Sequence, residues 1–126
     1  MESLAPKLYK RLGGYDRIYV VVKELMDKME NDARLARYFA GHGEDSKMRL
    51  LQLQVEMICQ VTGGDGIYLG RDMKTVHKGI GISGSEWGIM ISYLIPIMHK
   101  YEVPDQEQRE VQELLNRIKG DIVEKP

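Results

Sequence analysis

Asp72-Met73-Lys74-Thr75-Val76-His77-Lys78-Gly79-Ile80-Gly81 is the stretch from which the fold can be read. Asp72 is a good N-cap, Met73, Val76, His77 and Ile80 fall on one face at i, i+3, i+4 and i+7, and Gly79 and Gly81 close the segment. The spacing predicts a short helix with an imidazole on its apolar side. Two helical turns are marginal in water, because nucleation costs more than the few hydrogen bonds return, so something outside the segment must hold it in place. A bond from His77 to a metal would do this. Burial of a neutral, hydrogen-bonded histidine in an ordinary core is the other reading, and the rest of the chain has to separate the two.

Upstream, the apolar residues Ile18, Val21, Val22, Leu25, Met26 and Met29 repeat at helical spacing and predict a long amphipathic helix after the Gly13-Gly14 turn. Asn31-Asp32 punctuates it, and Ala33 to Phe39 reads as a helical turn or two ending in the chain's single phenylalanine. Asp45 or Ser46 can cap a third segment whose inner stripe is Leu50, Leu53, Gln54, Met57, Ile58 and Val61. Gln54 stands out there, because burying an unpaired amide costs roughly 1–3 kcal/mol, so it needs solvent or a partner. Gly63-Gly64-Asp65-Gly66 ends this helix, and an irregular linker through Tyr68, Gly70 and Arg71 leads into the His77 segment.

Downstream, Ser83 or Ser85 caps a helix carrying Trp87, Met90, Ile91, Leu94, Ile95 and Met98 on one face, with Pro96 placed to kink it. Pro104-Asp105 opens a last helix with Asp105 as cap and Gln108 behind it, followed by Val111, Leu114, Leu115, Ile118 and Ile122. No strand pattern competes. Residues 1–126 read as one all-α domain of four long helices and short helical connectors, too small for a second domain.

Charge excludes some partners. With 18 basic and 19 acidic residues spread along the chain, the net charge of −1 leaves no electrostatic footprint for nucleic acid or an anionic membrane. The stretch Trp87 to Met98 falls short of the roughly 20 apolar residues a spanning helix needs. Cys59 is the only cysteine, so no internal disulfide exists, and the first residues show no leader pattern; the chain reads as cytoplasmic. The unusual entries are eight methionines against one phenylalanine and one tryptophan. Such a core either packs as an ordinary aliphatic interior or wraps a large flat ligand that replaces the missing rings. Imidazole is the commonest axial ligand of haem iron, and haem is a flat apolar body of that kind. Without Cys-x-x-Cys-His it would be held non-covalently as haem b. Zinc is the poorer match, because His42 and His99 have no ligand spacing with His77.

With these pieces in place the chain resembles a known family, the truncated haemoglobins, and within it the group I, 2-on-2 type. The resemblance rests on Leu8-Tyr9-Lys10-Arg11-Leu12-Gly13-Gly14, on Arg34-Leu35-Ala36-Arg37-Tyr38-Phe39, on Gln54-Val55-Glu56 followed by Gly63-Gly64, and on the run from Tyr68 through His77 to Ile82. These cover almost the whole chain in the family's order. The resemblance implies a globin-like helical sandwich around haem, with His77 as the proximal iron ligand, Phe39 packing on the haem and Gln54 as a distal glutamine. It implies that Met73, Ile82, Trp87, Met90 and Leu115 line the pocket and that Tyr68 lies near a haem propionate; the sequence offers Tyr68, Arg71 or Lys47 as the haem's anchor and does not rank them. Two departures bear on activity. Met26 stands where relatives carry a tyrosine that donates to bound oxygen, and Leu50 stands at another distal position that is usually polar. Nitric oxide dioxygenase chemistry leans on such donors. Leu53 likewise stands where some relatives have a lysine.

The function that follows is reversible binding of a diatomic gas, oxygen, nitric oxide or carbon monoxide, for gas sensing or nitric oxide chemistry, with an electron-donating reductase as partner. An electron-transfer protein with His77/Met26 axial coordination is one alternative, and a haem-free helical interaction module is the other.

Overall fold

The computed structural model describes residues 7–41, 43–63 and 81–124. His77, Tyr68, Met73 and Arg71 lie outside the described residues, as does the predicted helix that carries Met73 and His77.

Five α-helices and one 3-10 turn make up the described residues, with no strand among them: α1 (Leu8–Arg11), α2 (Gly14–Glu30), the 3-10 turn Ala36–Tyr38, α3 (Glu44–Val61), α4 (Gly84–Lys100) and α5 (Asp105–Ile122). None of these helices is long and apolar enough to cross a membrane. α2 is the central element. It packs on α3 along one side and on α4 along another, while α5 lies against α4 and α1. The predicted stripe on α2 explains this double role. Ile18, Val22 and Met26 bury against Val55 and Cys59 of α3, whereas Leu25 joins Trp87, Leu94, Ile97 and Met98 of α4 and Leu115 and Ile122 of α5. Two apolar clusters therefore share one helix, and the space between them becomes the site described below.

Local chemistry sets the helix ends. Gly13 takes φ 101° at the N-cap of α2, and a Cβ there would lie 2.5 Å from Cγ of Arg17. Gly63 also has φ 101°, with Lys7 Cδ 2.8 Å from where its Cβ would stand. Both positions need glycine, which alone adopts that backbone without strain. Ser83 caps α4, its hydroxyl accepting from Glu86 N at 3.1 Å while Glu86 Oε1 accepts from Ser83 N at 3.0 Å, a complete capping box. α4 runs on through Pro96 to Lys100 without interruption.

Three details depart from the sequence reading. α3 begins at Glu44 with Gly43 as its N-cap, so Asp45 lies in its first turn rather than at its cap, where it still favours the positive end of the helix dipole. Val61 is exposed, while Val55 and Cys59 are buried in its place. The inner face of α3 is therefore rotated from the predicted stripe toward α2. On α5 the N-cap is Pro104 and Asp105 is already helical. Proline has no N–H for Gln108 to accept from, and the buried Gln108 amide instead donates to the Val103 carbonyl at 2.8 Å.

Polar contacts tie the helices together at their ends. Arg11 of α1 grips Glu110 of α5 through Nη1 and Nη2, the latter at 2.8 Å, and reaches Glu107 at 3.0 Å. The buried Asp32, just past α2, accepts from the Arg34 backbone and guanidinium and from the Tyr93 hydroxyl of α4. Hydrogen bonds from the Arg34 guanidinium and then from Tyr93 hold its carboxyl well below the usual carboxylate range.

Candidate functional site

Between the two apolar clusters lies a cavity of about 720 Å³. Protein interiors normally leave few voids larger than a water molecule, whereas ligand sites run to about 300–1,000 Å³. A space of this size, walled mostly by Val, Leu, Ile and Met, is shaped for a large apolar occupant.

Eight of the eleven residues named from sequence line this one cavity: Met26, Phe39, Leu50, Gln54, Ile82, Trp87, Met90 and Leu115. The other three, Tyr68, Met73 and His77, lie outside the described residues. Each wall follows from its helix. α2 presents Met26 one turn from Val22, so Met26 touches the α3 cluster and the cavity together. α3 presents Leu50 and Gln54, one turn apart, with Met57 and Ile58 continuing the same face. α4 presents Trp87 and Met90, and beyond them Leu94 and Met98, while α5 closes the far side with Val111, Leu115 and Ile118. Phe39 follows the 3-10 turn and packs against the edge of the cluster that holds Met26 and Val55.

Gln54 is half-buried on an otherwise apolar stretch of α3, and among the described residues its amide makes no hydrogen bond to protein. Its side chain is part of the cavity lining. Tyr19, another side chain that could have supplied a hydroxyl, does not line the cavity; its ring stacks on Tyr15 with centroids 6.3 Å apart. Lys47 is likewise off the cavity, and its ammonium pairs with Glu30. Leu53 is half-buried outside the lining as well.

The sequence reading missed the polar rim. Arg37, Tyr38 and Glu86 all line the cavity. The Tyr38 hydroxyl donates to Glu86 Oε1 at 2.8 Å, and Arg37 Nη2 reaches both Glu86 oxygens at 3.1 Å. The Arg37 guanidinium also stands 4.1 Å from the centroid of the Tyr38 ring. Burial raises the Glu86 carboxyl, but hydrogen bonds from Tyr38 and Ser83 and the Arg37 charge outweigh it and hold the group below its ordinary value. Burial and then the Glu86 hydrogen bond push the Tyr38 phenol up. Arg17 lines the cavity too, nine residues before Met26 on α2, which at 1.5 Å per residue is about 13 Å along the axis. The capping box was the one signal available for Glu86; nothing local pointed to Arg37 or Arg17.

Helices packed on one shared element around an apolar cavity make a helical protein built to hold a large apolar ligand. A family model described as bacterial-like globin matches residues 7–124, and this chain belongs to that family. A group 1 truncated haemoglobin of Mycolicibacterium paratuberculosis is 31% identical over 104 residues, covering 82% of this chain and 74% of its own length. The crystal structure of truncated haemoglobin from Tetrahymena pyriformis in its Fe(III) form superposes with a TM-score of 0.83 at 21% identity, covering 94% of this chain and 98% of that one. The 2/2 haemoglobin of Synechococcus, solved with covalently attached haem, superposes with a TM-score of 0.82 at 20% identity and the same coverage.

Proposed function

We propose that this chain is a haem b protein that binds a diatomic gas reversibly, with His77 as the protein ligand to the iron. The observation that carries the reading is the convergence of eight sequence-named residues on one apolar cavity within a truncated-globin fold. The lining fits the group. Phe39, Trp87, Met90, Ile82 and Leu115 offer apolar surface for a flat macrocycle, and the polar side chains are few and gathered at Gln54, Arg17 and the Arg37–Tyr38–Glu86 rim. The resemblance adds Met73 and Tyr68 as expected haem contacts. His77 would hold the haem iron, and the group would supply the metal centre at which a diatomic gas could bind.

The chain's own residues then decide how a gas is held. Met26, Leu50 and Met57 make the lining beside Gln54 apolar and exclude water, which strengthens any remaining polar contact. Gln54 donates the hydrogen bond that favours a ligand with negative charge on its outer atom. With one amide in place of the relatives' usual donors, Gln54 would give a bound oxygen only modest retention and little protection against oxidation of the iron, so an electron-donating partner belongs to this reading. Gas binding or sensing fits such a pocket better than dioxygenase turnover. Cys59 is buried and the sequence has no Cys-x-x-Cys-His, which supports non-covalent attachment; extraction of the haem into acidified organic solvent tests it directly.

The spectrum of the haem-reconstituted ferrous protein tests the whole reading. A five-coordinate form that takes up oxygen, nitric oxide and carbon monoxide is the expected result. A six-coordinate low-spin ferrous form would favour His77/Met26 coordination and electron transfer. Failure to develop a Soret band would leave a haem-free helical module.

A further inference from the structure

We infer that Arg37 is the carboxylate anchor of the cavity and that Glu86 tunes it by competing for the same guanidinium. The inference rests on the haem reading above. Haem carries two carboxylates on an otherwise apolar body, so the cavity needs a cation at the place where the acidic edge emerges. Among the described lining residues only Arg17 and Arg37 are cationic. Arg17 stands about 13 Å along α2 from Met26, in the first turn of that helix. Arg37 lies two residues before Phe39 and is bonded to Glu86, the neighbour of Trp87, so it borders the walls expected to face the macrocycle.

The state of the Arg37 side chain supports this role. It lines the cavity while 56% of the side chain remains exposed, so it sits at the mouth rather than in the core. Only Nη2 is engaged, with both Glu86 oxygens and the Tyr38 hydroxyl; among the described residues Nε and Nη1 make no hydrogen bond. A guanidinium presents five N–H donors in a rigid fork suited to carboxylates, and most of this fork is uncommitted. The Tyr38 ring beneath it limits its swing. Glu86, held by Ser83 N and Tyr38, keeps Arg37 at the rim but also places a negative charge beside any carboxylate that Arg37 would take.

Two variants should therefore act in opposite directions. Arg37→Gln removes the anchor and leaves the Tyr38–Glu86 bond intact. Glu86→Gln removes the competing charge while keeping an acceptor for the capping box. The experiment measures transfer of porphyrin from the reconstituted full chain to an excess of a high-affinity apo-globin, using haem and haem dimethyl ester in parallel. A partly exposed ion pair contributes up to about 1 kcal/mol, so haem transfer should be about two- to fivefold faster from Arg37→Gln and slower by a similar factor from Glu86→Gln. The ester, lacking the carboxylates, should leave all three proteins at the same rate. If Arg37→Gln changes haem and ester transfer equally, or neither, the anchor role is wrong, and an equal loss for both would mark general loosening of the rim. A wild-type chain that forms no Soret band with either porphyrin would instead overturn the haem reading and this inference together.

Discussion

Replacing Gln54 with leucine should separate oxygen from carbon monoxide in a way that only a distal donor explains. Gln54 lines the cavity one turn from Leu50, and the apolar side chains of Met26, Met57 and Ile58 share that lining. The hydroxyl on the described lining, that of Tyr38, is spent on Glu86 at 2.8 Å, and Tyr19 is not part of that lining. Leucine is close to glutamine in volume, so the change removes a donor without opening much space. Oxygen held beside Gln54 carries partial negative charge, and one hydrogen bond to it in a dry pocket is worth about 1–2 kcal/mol. Losing it should speed oxygen dissociation by about 5- to 30-fold. Carbon monoxide gains little from a donor, so its dissociation should change by less than about twofold. Stopped-flow replacement of oxygen by carbon monoxide, and of carbon monoxide by nitric oxide, reads both rates. An unchanged oxygen rate in Gln54→Leu would show that Gln54 does not donate; equal acceleration of both gases would point to a steric effect.

Ile97 is 1% exposed at the centre of the α2–α4–α5 cluster, so Ile97→Ala should lower stability by about 2–5 kcal/mol in urea unfolding. Asp32→Asn should be destabilising with a pH signature. The Asp32 carboxyl is depressed in the folded chain, so its contribution is fully present above the unfolded value of about 3.9 and fades as pH falls through the lower folded value. Wild type and Asp32→Asn should therefore differ by a constant amount between about pH 5 and 8 and converge below about pH 4, as thermal melts across that range will show. Gly13→Ala forces a side chain to φ 101° and should destabilise by about 1–2 kcal/mol, seen as a lower melting temperature with an unchanged helical spectrum.

The parts of the fold that were legible in the sequence are those set by local pattern. The α2 stripe from Ile18 to Met29 and the Ser83 cap could be read because a 3.6-residue period and capping chemistry act within a few residues. The inner face of α3 was harder, since Leu50, Leu51, Leu53, Val55, Met57, Ile58, Cys59 and Val61 spread apolar character around much of the helix. Only packing on α2 decides that Val55 and Cys59 turn inward and Val61 does not. Gly43 could not announce itself as a cap because it has no side chain to do so. The Arg37–Tyr38–Glu86 rim joins positions 48 and 49 residues apart, which no local pattern encodes. Residues such as Phe39, Trp87 and Leu115 were named as lining by resemblance rather than by periodicity, because a helical stripe marks what is buried and not what it is buried against.

Haem titration of His77→Gly beside the wild-type chain, each with and without imidazole, bears most directly on the proposed site. Wild type should develop a sharp Soret band saturating at one haem per chain. The variant should fail to hold haem alone and recover a five-coordinate ferrous spectrum when imidazole is supplied, because the cavity walls persist and only the bond to iron is missing. A His77→Gly chain that binds haem tightly without imidazole and gives the wild-type ferrous spectrum would contradict the assignment.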